Sequence, residues 1–84
     1  MTHRVTLYTR RGCHLCDEAH AVLRRLRRQA PFDLELVDIE ADDALHMRLL
    51  ERIPVVAVDG EEVSEHFVDA GDLLARLRSD PGAS

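Results

Sequence analysis

The chain has 84 residues, 45% of them hydrophobic and 32% charged, and its 16 acidic residues outweigh 11 arginines for a net charge of −5. That length admits one domain, able to bury roughly 60–65% of its unfolded surface in a single core, and the acidic balance argues against binding a phosphate backbone. No apolar run nears the roughly 18 residues of a membrane helix, and residues 1–8 lack the long apolar segment of a secretion signal, so a cytoplasmic chain with no membrane or nucleic-acid partner is expected.

Residues 5–9 (V-T-L-Y-T) are β-branched and aromatic and predict a buried strand. Arg10-Arg11-Gly12 breaks it, with Gly12 allowing a sharp strand-to-helix turn. Leu15, Cys16, Ala19, Val22, Leu23, Leu26 and Ala30 then recur at three- and four-residue spacing, which predicts an amphipathic helix over residues 13–29 ended by Pro31. Residues 33–39 alternate polar and apolar, a second strand that a right-handed crossover would set parallel to the first. A second helix is predicted over residues 41–52, with Asp42 and Asp43 at its start, Arg48 and Arg52 near its end, and Leu45, Leu49, Leu50 and Ile53 on its buried side.

Pro54 opens an apolar strand over residues 55–58, and Asp59-Gly60 is a hairpin signal leading into a charged edge strand over residues 61–67. Asp69 reads as the N-cap of a last helix, running to Arg78 and packing through Leu73, Leu74 and Leu77. Residues 79–84 read as a frayed tail of a single domain spanning 1–84. The resulting order, β-α-β-α-β-β-α, gives an α/β fold: a four-stranded mixed sheet with helices on both faces, the minimal thioredoxin/glutaredoxin fold.

Two cysteines in the pattern Cys13-x-x-Cys16 are the chemical signal. Such a pair also serves metals, or stays reduced as small core residues. Its placement favours redox work. Cys13 begins the first helix, where unpaired N–H groups and the positive end of the helix dipole favour a thiolate, and Arg10 and Arg11 add positive charge. A Cys13 pKa in the upper half of the roughly 3.5–7.5 band of activated thiols is expected. Cys16, on the apolar stripe, should be more buried and suited to resolving a mixed disulfide. His14 reads as an exposed neighbour that tunes the thiol, or else as a group that transfers its proton. His3, His20, His46 and His66 lack ligand-like spacing to the cysteines and read as surface residues. Arg24, Arg25, Arg27 and Arg28 read as a solvated helix face, or else a docking surface for an acidic partner.

The segment V-T-L-Y-T-R-R-G-C-H-L-C-D-E-A, with R-I-P-V-V-A-V-D-G-E-E-V from Arg52, resembles the glutaredoxin-like proteins of the thioredoxin superfamily, in particular a small, poorly characterised bacterial branch. The resemblance implies that Cys13 attacks and Cys16 resolves, and that Pro54 follows a cis bond facing the cysteines. Ile53 would then offer extended backbone to a bound peptide or to glutathione. Arg10 stands where glutaredoxins carry a basic residue for a glutathione carboxylate, and Asp69 matches an aspartate that holds the γ-glutamyl end. With His14 and Leu15 between the cysteines, these are the candidate substrate-binding positions.

The chain departs from that pattern in two places. His14-Leu15 replaces a Pro-Tyr type of pair, and residues 64–69 (S-E-H-F-V-D) lack a Gly-Gly step. With Glu65, Asp69 and Asp72 close by, glutathione use is expected to be weak or absent. The expected activity is thiol–disulfide oxidoreduction on protein or small-molecule disulfides. A reductase or glutathione would supply electrons, the working protein would be a monomer, and no cofactor or metal beyond the Cys13–Cys16 disulfide would be needed. The alternative is a metal-binding or metal-delivery module, including an iron–sulfur module, built on the same pair.

Overall fold

The computed structural model describes residues 2–78. Strand β1 (His3–Thr9) leads into helix α1 (His14–Leu26), strand β2 (Phe32–Asp38), a 3₁₀ turn (Ile39–Ala41), helix α2 (Asp43–Leu49), strands β3 (Val55–Val58) and β4 (Glu61–Glu65), and helix α3 (Ala70–Leu77). The sheet order is β2-β1-β3-β4. β1 and β2 run parallel, from His3 opposite Phe32 to Thr9 opposite Asp38. β3 runs antiparallel to both β1 and β4. Both expectations for the sheet hold: the parallel pair joined by a helix and the antiparallel hairpin.

Strand periodicity sorts the side chains onto two faces. Val5 and Leu7 of β1 with Val56 and Val58 of β3 meet Ala19, Leu23 and Leu26 of α1 and Leu73 and Leu77 of α3 in the main core. Each fully buried aliphatic side chain there contributes roughly 1.5–3 kcal/mol. On the opposite face Val55 joins Ile39 and Leu49, with Tyr8, Leu45 and Ile53 packed around them. The helices therefore cover both faces, α1 and α3 one and α2 the other.

Turn chemistry fixes the ends. Asp59 and Gly60 both have positive φ, 52° and 89°, the geometry that two-residue hairpins favour for the right-handed twist of their strands. The turn is stapled to β1. Asp59 N–H donates to the Arg4 carbonyl (2.8 Å), its carboxylate accepts from Arg4 N–H (2.9 Å), and the His3 ring lies 2.5 Å from its other oxygen. His3 is thereby buried rather than on the surface, and His20 and His46 are half-buried.

Other boundaries differ for physical reasons. The helix expected over 41–52 is shorter, 43–49, because Asp42 caps α2 through the N–H groups of Ala44 and Leu45, while a separate 3₁₀ turn capped by Asp38 through Glu40 N–H takes residues 39–41. Leu50 then falls past the end of α2 and is exposed. α1 ends at Leu26 rather than near Gln29 because the bonds tighten there from four residues to three, Arg28 N–H donating to the Arg25 carbonyl (3.2 Å) and Gln29 N–H to the Leu26 carbonyl (2.9 Å). β4 stops at Glu65 because His66 takes a left-handed conformation, φ 70°. A register shift between Val56 and Ala57 marks a bulge in the hairpin. The frayed tail expected at 79–84 lies outside the described residues.

Candidate active site

The topology gathers the motif at one end of the sheet. β1 ends at Thr9 and enters α1 through Gly12 (φ 78°), a left-handed position that glycine fills without Cβ strain. Tyr8 pairs with Val55, and Val55 with Glu65. The start of β3 and the end of β4 therefore lie at the same end as the Gly12-Cys13 turn. Just ahead of β3 is Pro54, buried, and the Ile53–Pro54 bond is cis, as expected.

Cys13 is the N-cap of α1, in extended conformation, and its Sγ accepts the backbone N–H of Cys16 at 3.1 Å. The two cysteines are joined as a disulfide with their Cα atoms 5.2 Å apart. Cys16 is 1% exposed, whereas Cys13 is only half-buried. That asymmetry separates an accessible sulfur from a sheltered one, as the sequence predicts.

Around the pair, His14 stands in solvent at 85% side-chain exposure, with Nε2 3.3 Å from Glu18 one turn on. Leu15, expected on the buried stripe, is 52% exposed instead. It lines a groove of about 210 Å³ with Glu18, Ala19, Val22 and the segment His66, Phe67 and Val68. Phe67 is 67% exposed on the far wall. Its lining is mostly apolar, with Glu18 and His66 as the polar members, and Leu15 belongs to the Cys-x-x-Cys motif.

The loop carrying Pro54 is tied down. His66 N–H donates to the Pro54 carbonyl (2.8 Å) and the Arg52 carbonyl (3.1 Å), and the His66 ring bonds the Glu51 carbonyl (2.8 Å). Arg52 reaches back to β4, Nε to Glu65 and Nη2 to Glu62, each at 2.6 Å, and Arg48 adds a second bond to Glu62. Donating these bonds to Glu65 and Glu62 raises the Arg52 pKa, and accepting the bond from Arg52 holds the Glu65 carboxyl below its usual range. Ile53 N–H is taken by the Leu49 carbonyl (3.1 Å). Of its two backbone groups, only the carbonyl is left for the peptide pairing expected at Ile53.

Arg10 is exposed, and its carbonyl accepts the Cys13 N–H at 3.4 Å. Asp69 caps α3, accepting Asp72 N–H at 3.0 Å, and Asp72 pairs with Arg76. The three acids expected to repel an anion near this end are thus engaged, Glu65 by Arg52, Asp72 by Arg76 and Asp69 by a helix N-terminus. Sequence reasoning missed His66 and Phe67. The one signal for them was the missing glycine step, because His66 occupies the left-handed position that a glycine would fill freely. Among the described residues no group of three or more His, Cys, Asp and Glu stands ready to hold a metal ion. A metal held by Cys13 and Cys16 would need ligands from outside these residues.

A mixed sheet in this order, a Cys-x-x-Cys disulfide capping the first helix and a buried proline at the head of β3 define a thioredoxin-fold protein with a redox-type cysteine pair. The chain belongs to the glutaredoxin-like domain family (DUF836), whose model matches residues 4–78. Uncharacterized protein Rv0508 of Mycobacterium tuberculosis is 33% identical over 82 residues, covering 92% of this chain and 80% of that protein. Protein Ne2328 from Nitrosomonas europaea has a similar structure, with TM-score 0.81 and 31% identity over 90% of this chain and 92% of its own. NrdH-redoxin from Escherichia coli, a glutaredoxin-like protein, superposes with TM-score 0.55 and 28% identity over 93% of this chain and 99% of its own. No helix among the described residues is long and apolar enough to cross a membrane.

Proposed function

We propose that this chain is a dithiol–disulfide oxidoreductase acting on protein or small-molecule disulfides in the cytoplasm, working as a monomer. In the reduced form the Cys13 thiolate attacks one sulfur of a substrate disulfide, forming a mixed disulfide and releasing the first substrate thiolate. Cys16 then gives up its proton and attacks the Cys13 sulfur. That step restores the Cys13–Cys16 disulfide and frees the second substrate thiol, so two electrons have passed to the substrate. The observation that carries the reading is the asymmetric pair itself: a half-exposed Cys13 at the N-cap of α1, bonded to a buried Cys16.

A thioredoxin-type reductase, rather than glutathione, is the donor in this reading. The charge argument against glutathione is weakened by the ion pairs of Glu65 and Asp72. What supports the reading is steric: His66 and Phe67 fill the position of a glycine step, next to the groove. The E. coli NrdH-redoxin, a glutaredoxin-like protein, is described as having a thioredoxin-like activity profile. The deciding experiment compares turnover of a disulfide substrate with NADPH and thioredoxin reductase against glutathione with glutathione reductase. Faster turnover with thioredoxin reductase, abolished in Cys13→Ser, is expected. Unchanged turnover in Cys13→Ser would sink the proposal.

A further inference from the structure

Three arginines stand together with no acid to meet them. Ala21, Arg24, Arg25 and Arg28 recur at three- and four-residue spacing, so they share one stripe of α1 and the turn after it. All four are exposed and line a cleft of about 280 Å³, Ala21 being the one uncharged member. Three other arginines do meet acids, Arg48 and Arg52 on Glu62 and Glu65 and Arg76 on Asp72, whereas Arg10 and Arg11 beside Cys13 have no ion pair among the described residues. Arg27 is also engaged, its Nε donating to the Phe32 carbonyl at 3.0 Å. Among the described residues the side chains of Arg24, Arg25 and Arg28 have no hydrogen bond or ion pair.

Local reasons account for only part of this. Arg24 and Arg25 lie in the last turn of α1, where a cation complements the helix dipole, but that accounts neither for Arg28 beyond the helix nor for the lack of an acidic neighbour. Arg24 with Arg28, and Arg25 with Arg28, are like charges one turn apart and repel one another. The neighbours one turn back along the stripe are His20, Ala21 and Val22, none of them acidic, in a chain that holds 16 acids.

We propose that this stripe is the docking surface for an acidic segment of the protein that exchanges disulfides with Cys13. The proposal rests on the oxidoreductase reading and adds the chemistry of the partner. Guanidinium forks match carboxylates bidentately, and the same helix carries Cys13 at its N-cap. Arg25 stands twelve residues on, roughly 18 Å along the axis, a span covered by about five or six extended residues. A protein interface of ordinary size, about 800 Å² per partner, covers both. Three guanidiniums on a chain of net charge −5 fit a short acidic segment better than a phosphate backbone, which calls for a broad positive field.

The test uses two fluorescent synthetic peptides of one sequence, each carrying a disulfide-linked reporter thiol. Six residues from the disulfide one peptide has four glutamates, the other four glutamines. Anisotropy reads binding to the oxidised protein, and release of the reporter thiol reads reduction by the reduced protein. The glutamate peptide is expected to bind roughly three- to tenfold more tightly at low salt, with the preference fading at high salt. The Arg24→Gln, Arg25→Gln, Arg28→Gln triple variant should lose that preference yet reduce the glutamine peptide at the wild-type rate.

Equal binding of the two peptides, or a preference that survives in the triple variant, would overturn the proposal. So would tighter, arginine-dependent binding of a 20-base-pair DNA duplex or of phosphatidylserine vesicles. Failure to reduce either peptide would instead overturn the oxidoreductase reading, and anisotropy would still decide whether the stripe holds an acidic segment.

Discussion

The sulfur of Cys13 accepts the backbone N–H of Cys16 across 3.1 Å, so one residue is both the accessible half of the disulfide and the cap of α1. On reduction, a Cys13 thiolate meets that N–H as a charged acceptor, and charge-assisted hydrogen bonds are about twice as strong as neutral ones. Cys16, 1% exposed, has no comparable access to solvent. Iodoacetamide applied to the reduced protein at neutral pH is therefore expected to alkylate Cys13 first. Peptide mapping checks this, and preferential labelling of Cys16 would reverse the assignment. In Cys16→Ser, a disulfide substrate should accumulate as a stable mixed disulfide on Cys13, visible as a mass increment.

Two glycines should respond in opposite directions to the same substitution. Gly12 has φ 78° with open space around its α-carbon, so Gly12→Ala meets no clash but forces a left-handed alanine. That costs about 1–2 kcal/mol. Gly71 lies in α3 without a positive φ, and an added Cβ would sit at ordinary contact distance, 3.6 Å, from Asp69. Gly71→Ala is expected to stabilise by about 0.5–1 kcal/mol. Urea titrations of both variants test the pair, and a loss of stability in Gly71→Ala would contradict the helical assignment of that turn.

The Asp59 clasp carries a pH dependence. The Asp59 carboxyl is held below its ordinary value of 3.8 by the hydrogen bond from Arg4 N–H and then by the His3 ring. Because the folded-state pKa is depressed, the resulting stabilisation is fully present above the unfolded value. It is lost as pH falls through the folded value, below about 4. Asn at 59 tolerates the positive φ of this position but does not ionise. Asp59→Asn is therefore expected to be less stable than the wild type at pH 7, with the difference shrinking toward zero below pH 4. A gap that stays constant across that range would show that the carboxylate's charge contributes nothing.

His66→Gly tests the steric reason given for poor glutathione use. Glycine relieves the left-handed backbone, a gain on the order of 1 kcal/mol, while loss of the ring bond to the Glu51 carbonyl removes about as much. Stability should thus stay within about 1 kcal/mol of the wild type, while glutathione-dependent turnover rises. If that turnover does not rise, the side chain at 66 is not what limits glutathione.

Most of the architecture was legible because strand and helix periods are strong local signals. Val5 and Leu7, the stripe from Cys16 to Leu26, the run Val55–Val58 and the Asp59-Gly60 turn each state their element within a few residues. The limits of that reading lie where a side chain serves the backbone. Asp38 reads as part of a strand and Asp42 as a helix-start acid, and only their hydrogen bonds show that each caps a turn of its own. The cysteines were legible as a site from their position after β1. The other wall of the groove was not. Phe67 reads as the end of a strand, and its place opposite Leu15 depends on where β4 stops. The burial of His3 depends on Asp59, 56 residues away in sequence, a distance that no local pattern spans.

Among the described residues, the order β2-β1-β3-β4 leaves β2 and β4 with unpaired outer edges. β2 carries the carboxylates of Asp33, Glu35 and Asp38, and β4 carries Glu61 beside Glu62 and Glu65, which Arg48 and Arg52 hold. Like charges along bare backbone discourage one molecule from extending the sheet of the next. This makes the colloidal behaviour of the protein a function of acidity even while each molecule stays folded. At neutral pH, with a net charge of −5, concentrated solutions should remain dispersed. Near the isoelectric point of about 5.4 mutual repulsion disappears, and light scattering should register edge-to-edge association before circular dichroism registers any unfolding.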